Sequence, residues 1–183
     1  MSTRSCSARL VAVGLASLWL TAAGAQPGAN LGVEISAQDA AAWDIGIQPD
    51  GTGLPPGKGR PADGAKIYAT KCIACHGADG AGQPNDRLVG GQGTLTQFVQ
   101  VRTLGSYWPY ATTVFDYIRR AMPFQQPESL TNDEVYALTA FLLAKNGIIR
   151  ERDEMNARTL PKVRMPNRDG FILAYPPPAG ATP

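Results

Sequence analysis

One Cys-x-x-Cys-His run, Cys72-Ile73-Ala74-Cys75-His76, constrains this 183-residue chain more than any other feature, because it holds the chain's only histidine. The spacing is that of covalent c-type haem attachment: two thiols capture the porphyrin vinyl groups, and the adjacent imidazole becomes an axial iron ligand. Two rival uses of Cys-x-x-Cys fare worse. A structural zinc site needs four nitrogen or sulfur donors, and the chain has no second cysteine pair and no spare histidine. A thioredoxin-like dithiol sits in a βαβ context, whereas this motif closes a helical pattern and opens a glycine-rich loop.

Residues 1–25 read as a signal peptide. Arg4 and Arg9 give a basic start without acids, Leu10–Leu20 is apolar, and Ala23-Gly24-Ala25 offers small residues for cleavage. The apolar run is too short for a membrane span, so none is expected. Cys6 leaves with the leader, so Cys72 and Cys75 remain and no disulfide framework is available. Of 17 Lys and Arg, Arg4 and Arg9 lie in the leader, which leaves 15 against 15 Asp and Glu. Such a neutral chain, with no basic stripe interleaved with aromatics, gives no reason to expect nucleic acid. Nor does it favour partner capture by long-range electrostatic steering.

The rest divides into an arm, a core and a tail. Residues 26–60 are rich in Gly and Pro, as in Gln48-Pro49-Asp50-Gly51-Thr52-Gly53-Leu54-Pro55-Pro56, and read as an extended arm. Within 61–149, helical spacing predicts a first helix over Asp63–Ala74, with Gly64, Ile67, Tyr68 and Lys71 at helical intervals. Gly77–Gly93 contains six glycines and must be a loop, one in which backbone can approach a flat macrocycle without Cβ clashes. A second helix is expected over Ala111–Ala121. A third starts at the capping box Thr131-Asn132-Asp133-Glu134, carries Val135, Leu138, Phe141 and Leu142 as an apolar stripe, and stops at Asn146-Gly147. Residues 150–183 turn charged and then proline-rich, and read as an extended tail with no core of its own. The expected fold is therefore all-α: about 90 residues in three short helices, which make a stable core by burying a covalent haem among them.

With one histidine, the sixth iron position falls to another group or stays open. Met122 sits in Arg120-Ala121-Met122-Pro123-Phe124, between the second and third helices. Pro123 biases it out of helical geometry, so its side chain is presented from an extended turn. Met165 also precedes a proline but lies past the last helix, and Met155 is embedded in the polar run Arg152-Asp153-Glu154-Met155-Asn156. Met122 is the preferred ligand and Met165 the second choice. Tyr107, Trp108 and Tyr110 either line a haem pocket or fill the edge of a small core. Arg102, Arg119 and Arg120 are either propionate partners or solvated arginines.

As a set, Gly64-x-x-x-Tyr68, Cys72-x-x-Cys75-His76, Met122-Pro123 and Leu138-x-x-Phe141 resemble the class I c-type cytochromes over residues 61–149. The resemblance implies a first and a last helix that cross, Gly64 allowing close approach and Tyr68 packing near Leu138 and Phe141. Three further segments, Asp44–Pro55, Gly105–Pro123 and Leu160–Phe171, look like the cytochrome subunit of sulfur-oxidising (Sox) sulfane dehydrogenase and related sulfite dehydrogenases. That family implies a periplasmic protein and a molybdenum-cofactor partner that oxidises the sulfur compound and passes on single electrons. A downstream cytochrome c or oxidase then accepts them. With one Cys-x-x-Cys-His run, one haem c is expected. Residues 40–60 and 158–172 are expected to embrace the partner, the alternative being disordered tethers. Two other functions stand beside this one. A free-standing electron carrier needs no long arms, and a haem enzyme with an open position needs a distal acid–base group, for which no second histidine exists.

Overall fold

The computed structural model describes residues 32–172 and Tyr175; the expected signal peptide, residues 26–31 of the arm and most of the proline-rich end lie outside the described residues. The chain forms two units that divide after Trp43. In the first, α1 (Ala37–Trp43) is a helix with no buried residue, in a stretch expected to be extended. Its cause is local. The Ser36 hydroxyl accepts the Asp39 N–H at 3.1 Å, a typical N-cap, and four of the seven residues are alanine, the best helix former.

In the second unit the all-α architecture holds. The described elements are β1 (Lys58–Gly59), α2 (Pro61–Lys71), α3 (Ile73–His76), α4 (Ala111–Ala121), α5 (Asn132–Lys145) and β2 (Met155–Asn156). Single 3-10 turns cover Ala78–Gly80 and Leu160–Lys162. The first helix is not continuous to Ala74 as its spacing predicts. Pro61 starts α2 with a preset φ, and the helix ends at Cys72, whose φ of −125° lies outside the helical region. The chain then takes a fresh turn, with the Cys75 and His76 N–H groups donating to the Cys72 carbonyl at 3.1 and 3.0 Å. α4 ends where Pro123 forces Met122 to extended dihedrals, φ −125° and ψ 142°.

α5 is the centre of the unit. Its capping box is complete: Thr131 Oγ1 accepts the Glu134 N–H at 3.3 Å, and the Glu134 carboxylate accepts the Thr131 N–H at 2.8 Å. The bond from the Thr131 N–H favours the ionised carboxyl and holds Glu134 below its ordinary pKa. Nine consecutive residues from Val135 to Leu143 are buried, and only a helix surrounded on all sides can bury every face. α2 crosses α5 at Gly64, where any Cβ would run into the backbone of Ala137 and the Phe141 side chain. The Tyr68 and Phe141 rings, centroids 5.0 Å apart, pack beside the crossing. α4 closes another side through Phe115, whose ring lies 4.4 Å from that of Tyr136.

The flanks are poor in regular structure, as extended arms are, yet residues 44–60 and 150–170 lie along this helical core. Tyr136 Oη donates to the Pro55 carbonyl at 2.9 Å and Thr112 Oγ1 to that of Pro49 at 3.3 Å. β1 pairs antiparallel with β2, Lys58 opposite Asn156 and Gly59 opposite Met155, so the two flanks meet each other. The C-terminal flank supplies Met155, Leu160 and Met165 to the core, at 4, 0 and 1% exposure. This differs from a tail with no core, and Met155 is buried although it lies in a polar run. In a strand, side chains alternate between faces, so Met155 points inward while its polar neighbours remain on the outside.

Burial pushes the Tyr136 hydroxyl up to about 12. The folded state thus holds this proton more tightly than the unfolded chain, where a tyrosine titrates near 10. The contribution to stability is complete below about pH 10 and is lost as pH rises towards 12. Thermal unfolding followed by circular dichroism should show this alkaline loss, reduced in Tyr136→Phe. At neutral pH the same substitution should cost about 1 kcal/mol, the net worth of the bond to Pro55.

Candidate functional site

A cavity of about 380 Å³ opens among α2, α3, α4 and α5, within the size range of cofactor sites. Cys72, Cys75, His76 and Met122 all line it. Both thiols are free, and burial pushes that of Cys72 up to about 11. The walls are mainly aliphatic and aromatic: Leu88, Leu104, Trp108, Val114, Ile118, Leu130, Leu138 and Leu142. Among the described residues no group of three or more His, Cys, Asp and Glu side chains is arranged to hold a bare metal ion. The chemistry of this donor set, two thiols and an imidazole opening on an apolar slot, fits a flat apolar macrocycle joined through sulfur.

The imidazole is oriented from behind. His76 Nδ1 lies 2.8 Å from the Asp86 carbonyl oxygen, and a carbonyl only accepts. Nδ1 therefore carries the proton and Nε2 keeps its lone pair for a metal, the arrangement that fixes the tautomer of a ligating histidine. The loop that provides Asp86 is itself tied to the helical turn. Gly82 N–H donates to the His76 carbonyl and Asn85 N–H to that of Cys75, both at 2.8 Å. Tyr68 Oη donates to the Gly77 carbonyl at 2.9 Å. Gly77 makes the turn out of α3 at φ +72°, a conformation in which residues with a Cβ are strained.

Of the residues weighed from sequence, the structure brings some together and separates others. Met122 reaches the cavity from the end of α4. Met165 and Met155 are buried elsewhere and do not line it. Trp108 lines the cavity, its ring 5.6 Å from Tyr117 and perpendicular to it. Tyr107 and Tyr110 do not; Tyr107 packs on Phe171 and Tyr110 on Arg168. Arg102 stands on the cavity lining, whereas Arg119 donates to the Ile45 carbonyl at 3.5 Å and Arg120 pairs with Asp116.

Sequence reasoning saw Asn146 only as a helix stop, and missed its second role. Its side-chain amide donates to the carbonyls of Leu142 and Leu88, at 2.8 and 3.3 Å. Its carboxamide oxygen accepts the Gly90 N–H at 2.9 Å and Gln92 Nε2 at 3.2 Å. One side chain thus fastens the loop bearing Leu88 and Asp86 to the end of α5. The Asn-Gly pair gives the stop, but nothing local signals bonds to residues 54–58 positions earlier.

Comparison with known proteins adds three findings. A family model described as cytochrome c oxidase, cbb3-type, subunit III matches residues 59–142. The crystal structure of the sulfane dehydrogenase SoxCD from Paracoccus pantotrophus contains a chain 42% identical, with a TM-score of 0.73. That alignment covers 78% of this chain and 71% of the other. No curated protein matches the chain.

Asn146→Ala should loosen the loop before it unfolds the helices. Losing several bonds of about 1 kcal/mol each predicts a stability loss of about 2–4 kcal/mol. Hydrogen exchange should show faster exchange at Gly90 while the amides of α5 keep their protection; equal protection at both would contradict the tethering role.

Proposed function

Because the chain belongs to the class I c-type cytochromes, a family with covalently bound haem c, we propose that it is the single-haem electron-transfer subunit of a periplasmic molybdenum sulfane or sulfite dehydrogenase. Cys72 and Cys75 would hold the porphyrin through thioether bonds, and His76 and Met122 would be the side chains that ligate its iron. The haem supplies one-electron exchange at its iron. The observation that carries this reading is a single cavity lined by all four residues within an otherwise mainly apolar wall.

The protein's part is orientation and environment. The Asp86 carbonyl keeps His76 Nδ1 protonated and its Nε2 free to ligate. The Met122 thioether is a soft donor that raises the reduction potential relative to harder sets. Leu104, Val114, Ile118 and Leu138 exclude water, which further disfavours the more highly charged oxidised state. Arg102 supplies a cation at the cavity suited to a carboxylate.

The subunit assignment draws support from the 42% identity to a chain of the SoxCD structure. Catalysis then belongs to the partner, which oxidises the sulfur compound, and a cytochrome c or oxidase takes the electrons onward. A second reading, a free-standing periplasmic carrier, is favoured by one observation: the flanks bury Met155, Leu160 and Met165 in their own core. Long arms serve the fold itself and do not require a partner.

Met122→Ala should abolish the sulfur-to-iron charge-transfer band while covalent haem is retained; a band that survives assigns the ligand elsewhere. Gel filtration of the native protein, read at the haem absorbance with molybdenum assayed in each fraction, decides the assembly. Co-eluting haem and molybdenum support the subunit; haem at the size of the lone chain supports the carrier.

A further inference from the structure

The C-terminal flank packs on the residues either side of Trp108, which lines the cavity. Leu160 and Met165, at 0 and 1% exposure, anchor it in the core. Beyond Met165 it makes three contacts with one short irregular segment, Tyr107 to Tyr110. Asn167 Nδ2 donates to the Tyr107 carbonyl at 2.7 Å. The Phe171 ring meets the Tyr107 ring at 5.2 Å in an edge-on arrangement, and the Arg168 guanidinium lies 4.2 Å from the centre of the Tyr110 ring. Between these clamped residues sits Trp108, which lines the cavity. Pro109 follows it and restricts its backbone. The wall residue is therefore held on both sides by a segment that follows α5 by some twenty residues.

We infer that Asn167, Arg168 and Phe171 are positioning residues that act through Trp108: the C-terminal flank sets how closely the indole covers the cavity, and thereby the redox potential of the group bound there. This rests on the haem reading above. The physical basis is water exclusion. An indole held against the pocket keeps the dielectric low, and a wetter pocket stabilises the oxidised, more charged state. Each contact alone is modest. An aromatic pair and a partly exposed cation–π contact are both weak interactions. Three on one short segment restrict it without making the fold depend on any one.

The test uses the full-length haem-bearing protein. Reduction potentials are measured by spectroelectrochemical titration for Asn167→Ala, Phe171→Ala, Arg168→Gln and Phe171→Tyr, each alone and in a Trp108→Leu background. Covalent haem is assayed alongside. Arg168 is exposed and Phe171 half-exposed, so these variants retain the core. Asn167→Ala and Phe171→Ala should each lower the potential, Arg168→Gln should do so to a smaller extent, and Phe171→Tyr, which keeps the ring pair, should restore the parental value. In the Trp108→Leu background the shifts should vanish, since a residue acting through the indole has nothing left to move. Unmoved potentials in haem-bearing variants, or shifts of the same size without the indole, overturn the inference. A parent protein that carries no covalent haem overturns the proposed function as well.

Discussion

The crossing of α2 over α5 at Gly64 is the constraint on which the rest of the second unit depends. With hydrogen in place of a side chain, α2 comes down onto the backbone of Ala137, and Tyr68 then meets Phe141 at 5.0 Å. That contact fixes where α2 ends, and so where Cys72, Cys75 and His76 stand relative to the α5 residues Leu138 and Leu142 on the same cavity. A helix pair held apart by even one methyl group would shift this whole lining, because packed cores do not deform continuously.

From that crossing the polar bonds of the site follow in a chain. Tyr68, positioned by Phe141, donates to the Gly77 carbonyl; the turn at Gly77 sends the loop back so that Gly82 and Asn85 cap the His76 and Cys75 carbonyls. Asp86 then lies behind the imidazole, and Asn146 secures the far side of the loop to α5. Backbone carbonyls at a helix end need partners. Here the partners also orient the His76 imidazole, so the same bonds serve the fold and the cavity.

The flanks show how a small domain extends its core. A unit of this size buries a limited share of its surface. Residues 44–60 and 150–170 return burial on the outer side: Pro55 against Tyr136, Met155 beside β1, and Leu160 and Met165 in the core. A proline-rich stretch forms few regular hydrogen bonds, but it can still lie against a helix when tyrosine and threonine hydroxyls satisfy its carbonyls.

By itself the sequence determined the Cys-x-x-Cys-His run, the lone imidazole, the limits of α4 and the capping box of α5, because each depends on residues within a turn or two of one another. Proline after Met122 and glycine after Asn146 act on their immediate neighbours, and such rules are legible without a fold. Tertiary structure alone decided which of Tyr107, Trp108 and Tyr110 faces inward, which arginine stands at the cavity, and that the flanks pack on their own core. Met122 and Met165 each precede a proline, and the position of Met122 between two helices favoured it in the sequence; it lines the cavity, and Met165 fills the core. Those choices rest on contacts between residues dozens of positions apart, where the burial available to a side chain depends on everything packed around it and not on its neighbours in the chain.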